Sequence, residues 1–251
     1  MIPKVIHFCW LSGDPYPAKI KKCMKTWKKI MPDYEWKLWN LENFDLALAP
    51  QYVQEAVKAR KWAFAADYIR IYALYKEGGF YLDSDVKILK RFDEFRHYNF
   101  ISSMEYHPSQ IIKDNSFKLI NEHGKRIADN YVSGIQIQAA VMGGQAGCSL
   151  LKDILDWYQD KHFILPDGTL TMNLQSPQIY ARISEQYGFI YKDIDQDLRD
   201  NIKIFRSEIF AGNKHEVTPV SYAIHLCAHS WKGDLLEKIR RRLRNLFRCK
   251  P

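Results

Sequence analysis

No stretch of eighteen uncharged apolar residues occurs in the 251-residue chain, so a membrane-spanning helix is excluded on length. The opening Ile2-Pro3-Lys4-Val5-Ile6-His7-Phe8 is followed by no long apolar region and no small-residue cleavage site. A secretory signal is therefore not expected, and the cytoplasm is the expected compartment. Cysteine is sparse: Cys9, Cys23, Cys148, Cys227 and Cys249 are odd in number, scattered, and form no CxxC pair. That pattern fits neither a disulfide framework nor a cysteine zinc site. Reduced thiols are the simpler account, with Cys9 and Cys227, in apolar surroundings, expected as small core residues. Also absent are a Pro/Gly/Ser-rich linker, an internal repeat and a low-complexity tract. One domain over residues 1–232 with an appendage over 233–251 is the expected organisation. With 47% hydrophobic and 14% aromatic residues the chain can bury a sizeable core.

The net charge of +8 suggests nucleic acid only until its position is considered. Seven basic residues against two acidic ones lie between Asp234 and Lys250, leaving +3 for everything before them. The main domain is thus not a polyanion binder by composition, and no nucleic-acid partner is expected. In the same tail, Leu235, Leu236, Ile239, Leu243, Leu246 and Phe247 recur at three- and four-residue intervals, with Arg240, Arg241, Arg242, Arg244 and Arg248 filling most of the other side. A basic amphipathic helix over residues 234–248 suits an anionic membrane surface, which would make the protein peripheral on the inner face of the membrane. Packing on the domain's own surface, or oligomerisation through the apolar stripe, stays open.

Along the main domain, Val5–Trp10 reads as a buried strand. Ala18–Ile30 carries Ile20, Met24, Trp27 and Ile30 at helical spacing and is stopped by Pro32-Asp33. Tyr34–Trp39 alternates as a strand does. Helices are expected over Gln51–Ala59 and Trp62–Lys76, the latter ended by Gly78-Gly79. Phe80-Tyr81-Leu82 is a strand running into acidic residues, and Val86–Leu89 continues extended. The second half is expected to hold strands at Gln136–Met142, Ile202–Phe205 and Val220–Leu226, and helices at Ser149–Lys161 and Pro177–Tyr187. This alternation predicts an α/β fold with a mostly parallel central sheet flanked by helices. In such sheets ligands collect at the carboxyl ends of strands, the position of both the loop after Trp10 and the acidic residues after Leu82.

Asp83 and Asp85 stand two apart on a segment read as extended, so both side chains point one way while Ser84 faces the other. Two neighbouring carboxylates repel, and a divalent cation with oxygen ligands resolves the repulsion. A diphosphate supplies the cation's remaining oxygens. A D-x-D triplet alone also describes an ordinary solvated turn; here a Gly-Gly helix stop and an aromatic strand precede it.

Gly78-Gly79-Phe80-Tyr81-Leu82-Asp83-Ser84-Asp85 resembles the glycine-strand-DxD signature of the glycosyltransferases related to the fungal Golgi initiating mannosyltransferase, the bacterial capsular-polysaccharide transferases and the glucosylating toxin catalytic domains. Ala65-Ala66-Asp67-Tyr68-Ile69-Arg70 resembles that family's D-x-x-R helix, Ile2–Trp10 its first strand, and Ala223-Ile224-His225 with Ser230-Trp231 its closing element. The resemblance implies a GT-A fold, Mn²⁺ or Mg²⁺, a nucleotide-sugar donor with UDP favoured, a saccharide acceptor with a lipid-linked one as an option, capsular or other surface polysaccharide synthesis, and retention of anomeric configuration.

Under that resemblance Asp85 is a direct metal ligand, and Asp83 holds the ribose and reaches the ion. Asp67 and Arg70, three apart on one helix face, reach the donor's sugar and phosphate side; read alone, they form an intrahelical ion pair. Trp10 stacks on the base, and Ser230 and Trp231 donate to phosphate oxygens. His225 is either a third metal ligand or a satisfied core histidine, with His229 as a competitor. Gln138, Asn173 and Gln175 are the acceptor-side candidates, and Ser176-Pro177 departs from the family's Gly-Pro turn. No side chain stands out as a general base. A metal-dependent phosphohydrolase with Asp83 as nucleophile is the alternative enzyme. Val86-Lys87 follows the pair where such enzymes usually carry Gly-Thr, which argues against it. A basic nucleic-acid-binding module is the remote alternative.

Overall fold

The structure, a computed structural model, describes residues 1–227. Its strands and helices run in the order β1 (Val5–Cys9), α1 (Ala18–Ile30), β2 (Glu35–Trp39), α2 (Gln51–Lys58), α3 (Trp62–Glu77), β3 (Gly79–Leu82), β4 (Val86–Ile88), β5 (Phe100–Tyr106), α4 (Pro108–Lys113), β6 (Ile135–Ile137), β7 (Val141–Gly144), α5 (Ser149–Trp157), α6 (Ser176–Ser184), β8 (Gln196–Leu198), β9 (Ile202–Phe205), β10 (Phe210–Ala211) and β11 (Ala223–His225). The appendage expected over residues 233–251 lies outside the described residues.

The main sheet has the order β2-β1-β3-β7-β5-β9-β8, with β6 paired to β5. β1 is parallel to both β2 and β3, and β5 is parallel to β9. β7 runs antiparallel between β3 and β5, and β8 is antiparallel to β9. Strands β2, β1, β3, β5 and β9 therefore share one direction, so the expected mostly parallel sheet is what the chain builds. α2, α3, α5 and α6 cover one face around Tyr68, Ile69, Leu74, Leu151 and Tyr180. α1 and the small sheet β10-β11-β4 pack on the other around Trp27, Phe80, Phe92 and Phe210.

Three local readings change. Gln136–Met142 is not one strand: β6 and β7 are separated by Gln138-Ala139-Ala140, and this break turns two carbonyls toward the site described below. Phe100–Tyr106 is a central strand that the sequence does not announce, because Phe100 to Met104 are all buried and the strand shows no alternation. Cys227 is exposed rather than a core residue, whereas Cys9 packs on the larger core.

α3 is apolar nearly all round, and residues from Ala65 to Leu74 are buried on several faces, as expected of a helix sandwiched between the sheet and other helices. Gly78 and Gly79 end it with φ of +66° and +115°. His7 fixes this corner: its Nδ1 accepts from Trp39 Nε1 at 3.0 Å, so its Nε2–H donates to Gly78 O at 2.7 Å. Burial keeps His7 neutral by lowering its pKa, against the opposing pull of the Gly78 carbonyl. A Cβ on Gly79 would approach Val5 O to 2.9 Å and His7 Nε2 to 3.0 Å. Gly79→Ala is therefore expected to cost on the order of 2–4 kcal/mol, from positive φ and overpacking together. The change should read as a lower urea midpoint at unchanged slope.

Candidate active site

β1 and β3 are parallel neighbours in the register Ile6↔Phe80 and His7↔Tyr81, so Trp10 and Asp83 emerge at the same carboxyl edge. Asp83-Ser84-Asp85 is not an extended run but a turn, closed by Val86 N–H donating to Asp83 O at 2.9 Å. The two carboxylates converge all the same, because the turn is held from several sides. Asp83 N–H donates to Ala140 O at 2.8 Å, and Leu226 N–H to Asp85 O at 3.3 Å. From α1, Cys23 Sγ donates to Asp85 O at 3.4 Å and Trp27 Nε1 to Val86 O at 2.7 Å. Ser84 is buried.

β11 lies antiparallel to β4 with His225 opposite Val86, which carries the imidazole to the acidic pair. His225 Nε2 is 3.3 Å from Asp85 Oδ1 and 3.8 Å from Asp83 Oδ2. One ligand atom from each of Asp83, Asp85 and His225 fits within 4.8 Å of the others. Burial works against a charged His225, but Asp85, Cys227 and Asp83 together lift its pKa well above the ordinary histidine value. The field that draws a proton onto His225 is the field a divalent cation would occupy. Two carboxylates and one imidazole nitrogen are a donor set that could hold a divalent cation.

Behind the pair lies a buried polar group. Arg70, 5% exposed, donates through Nη1 to Ala139 O at 2.7 Å and through Nε to Ala66 O at 3.3 Å. Its Nη2 is 2.9 Å from Asp67 Oδ1 and 3.5 Å from Asp83 Oδ1. Tyr81 OH donates to Asp83 Oδ1 at 3.0 Å, with the Arg70 guanidinium 4.9 Å from its ring. Ser176 Oγ donates to Asp67 Oδ1 at 2.8 Å, and Tyr180 OH to Asp67 O at 2.9 Å. Burial pushes Asp67 up to about 6, against the pull of Arg70 and Ser176. Burial also opposes the Arg70 charge, yet Asp83, Tyr81 and Asp67 hold its pKa above the ordinary value. The ion pair between Asp67 and Arg70 is real, and it is a buried one that reaches Asp83.

Trp10 is half-buried, its Nε1–H donating to Asp14 O at 2.6 Å and its ring 4.9 Å from that of Tyr16. Gln138 is buried; its Nε2 donates to Ser103 Oγ at 3.2 Å and to Phe210 O, and its Oε1 has no hydrogen-bond partner. Asn173 and Gln175 line a cavity of about 750 Å³, not the acidic pair itself. Gln175 caps α6 immediately before Ser176, so the cavity begins one residue from the Asp67 group. Ser230, Trp231 and His229 lie outside the described residues. Tyr81 and Ser176 are site residues that spacing did not single out: the Tyr81 hydroxyl sits in an aromatic strand, and Ser176 reaches Asp67 across 109 residues of sequence.

The mixed α/β sheet flanked by helices, with the acidic pair and His225 at its carboxyl edge, has the GT-A architecture. Two solved structures agree with the fold: PaToxG Glycosyltransferase, with TM-score 0.50 at 17% identity over 74% of this chain and 69% of that one, and mouse xyloside xylosyltransferase 1, with TM-score 0.51 at 9% identity over 89% and 97%. Residues 17–101 match the family model described as a glycosyltransferase sugar-binding region containing DXD motif. Inositol phosphoceramide mannosyltransferase 3 of Schizosaccharomyces pombe is 34% identical over 39% of this chain and 28% of its own length. An uncharacterized glycosyltransferase, L373, of Acanthamoeba polyphaga mimivirus is 26% identical over 54% and 49%. The chain thus spans half or less of the length of these relatives.

Proposed function

We propose that the protein transfers a hexosyl group from a nucleotide-sugar donor, UDP-linked, to a saccharide acceptor with retention of configuration, in the assembly of a surface polysaccharide. The observation that carries this reading is the meeting of Asp83, Asp85 and His225 at the edge of the sheet where Trp10 also emerges. Asp85, Asp83 and His225 would hold Mn²⁺ or Mg²⁺. When bound, the ion supplies positive charge where the nucleoside diphosphate gains negative charge on leaving. Trp10 offers a π-face to the base. Asp83, oriented by Tyr81 and Arg70, faces the ribose. Asp67 and Arg70 frame the sugar side of the donor, and Gln138, Asn173 and Gln175 meet the acceptor. Since no side chain among the described residues of the site stands as an evident general base, the acceptor's proton passes to the departing phosphate.

Thermal-shift screening of nucleoside diphosphates with Mn²⁺ tests the reading. At one hundred times its dissociation constant a ligand stabilises by about 2.7 kcal/mol, a rise in Tm of about 5–10 °C for a chain of this size. UDP with Mn²⁺ should give that rise, and His225→Ala should reduce it. No shift with any nucleoside diphosphate would remove the proposal.

A further inference from the structure

The cavity of about 750 Å³ beside the Asp67 group has the size of a saccharide site and an unusual charge pattern. Its lining among the described residues includes Glu105, His107, Asp114, Gln136 and Gln175 but neither lysine nor arginine. Glu105 lies in its wall: His107 Nε2–H donates to Oε1 at 3.0 Å and Gln136 Nε2 to Oε2 at 3.4 Å. Gln136 is 5% exposed, and its Oε1 has no hydrogen-bond partner. A buried amide oxygen left unpaired is costly, and a ligand hydroxyl is a donor that would satisfy it. Gln110 donates to Asp114 Oδ2, and the Ser133 hydroxyl also hydrogen-bonds that exposed carboxylate, so both keep it ionised in the cavity wall. Glu105 raises the His107 pKa above the ordinary histidine value, and Glu216 adds to the pull. The lining thus holds two carboxylates against at most one imidazolium, and the balance among the described residues of the cavity is negative.

Hydroxyl groups can donate to these carboxylates and to the Gln136 oxygen, and accept from amide N–H groups. A phosphate or carboxylate can only accept, and would enter a space of net negative charge with no guanidinium or ammonium among the described residues of its wall. We infer that this cavity takes an uncharged glycosyl acceptor and rejects one bearing a phosphate or carboxylate on the sugar that enters it. The inference rests on the transferase reading for the word acceptor, but the binding preference can be measured without transfer.

The experiment uses the full chain and saturation-transfer NMR titrations with methyl glycosides of glucose, galactose and mannose and with the matching 6-phosphates. At least one methyl glycoside should bind, and its 6-phosphate should bind about ten-fold more weakly or worse. Gln136→Leu should weaken glycoside binding by about five-fold while leaving the Mn²⁺–UDP thermal shift in place, which also shows that the variant is folded. Glu105→Gln combined with Asp114→Asn should narrow the gap between glycoside and phosphate. Phosphates that bind as tightly as glycosides, or a protein that takes Mn²⁺–UDP but no glycoside, would overturn the inference. A protein that takes glycosides but no nucleotide with Mn²⁺ would instead overturn the transferase reading and leave the cavity's preference standing.

Discussion

Asp85→Ala is expected to reduce sugar transfer and donor hydrolysis by on the order of a thousand-fold, while the purified variant stays folded. Two features separate the functional loss from the structural one. The turn around Asp85 is held through its backbone carbonyl, which accepts from Leu226 N–H and Cys23 Sγ, and through Trp27 on Val86. None of these contacts uses the Asp85 carboxylate, so removing it leaves the turn in place. The carboxylate instead faces His225 Nε2 at 3.3 Å and stands close to Asp83, where two negative groups share a small space. Removing the carboxylate relieves its repulsion with Asp83 but also takes away its attraction for His225, so the metal-free Tm should change little. The stabilisation by UDP with Mn²⁺ should vanish in the same variant. Near-normal turnover by well-folded Asp85→Ala protein would mean that the acidic pair is not where the diphosphate is held.

Much of this site is legible in the chain because its parts are local. The Gly-Gly stop, the strand and the acidic pair lie within eight residues, and Asp67 and Arg70 are one helical turn apart. The two motifs come together because β3 follows directly from α3. His225 could be suspected only from order along the chain; its arrival depends on β11 pairing with β4, a contact across more than 130 residues. The extended geometry assumed for Asp83-Ser84-Asp85 is replaced by a turn because Ala140 O and Asp83 O capture the Asp83 and Val86 amides, pairings that no period in the sequence encodes. The same limit hides β5, whose buried serines, Ser102 and Ser103, are satisfied by hydrogen bonds to carbonyls. It also hides the cavity, since Glu105, Gln136 and Gln175 come from three elements joined only by packing.

Arg70→Met is expected to be the most destabilising substitution in the site, costing about 3–5 kcal/mol. That corresponds to a Tm lower by roughly 6–20 °C in a chain of this length. Methionine fills much of the volume of the buried stem, so the loss comes from charge and hydrogen bonding. Without the guanidinium, Asp67 keeps only its Ser176 hydrogen bond in a buried setting, and the Ala139 carbonyl loses its 2.7 Å donor. The sign of the pH dependence follows from Asp67. Its folded pKa is already raised to about 6 by burial, and loss of Arg70 raises it further. A carboxyl group with a raised folded pKa binds a proton more readily in the folded chain than in the unfolded one, so stability falls as pH rises from the ordinary carboxylate range through the folded value. The deficit of Arg70→Met should therefore be largest at pH 8 and smaller at pH 5, where a proton neutralises Asp67. Adding Asp67→Asn should recover part of the loss at pH 8 and flatten the profile, because the amide can still accept from Ser176. Urea unfolding of the wild type and the two variants at both pH values measures this directly. A cost under about 1 kcal/mol, the range of an exposed ion pair, or a deficit independent of pH would show that Arg70 does not compensate buried charge. Asp83 would then owe its orientation to Tyr81 and the Ala140 carbonyl alone.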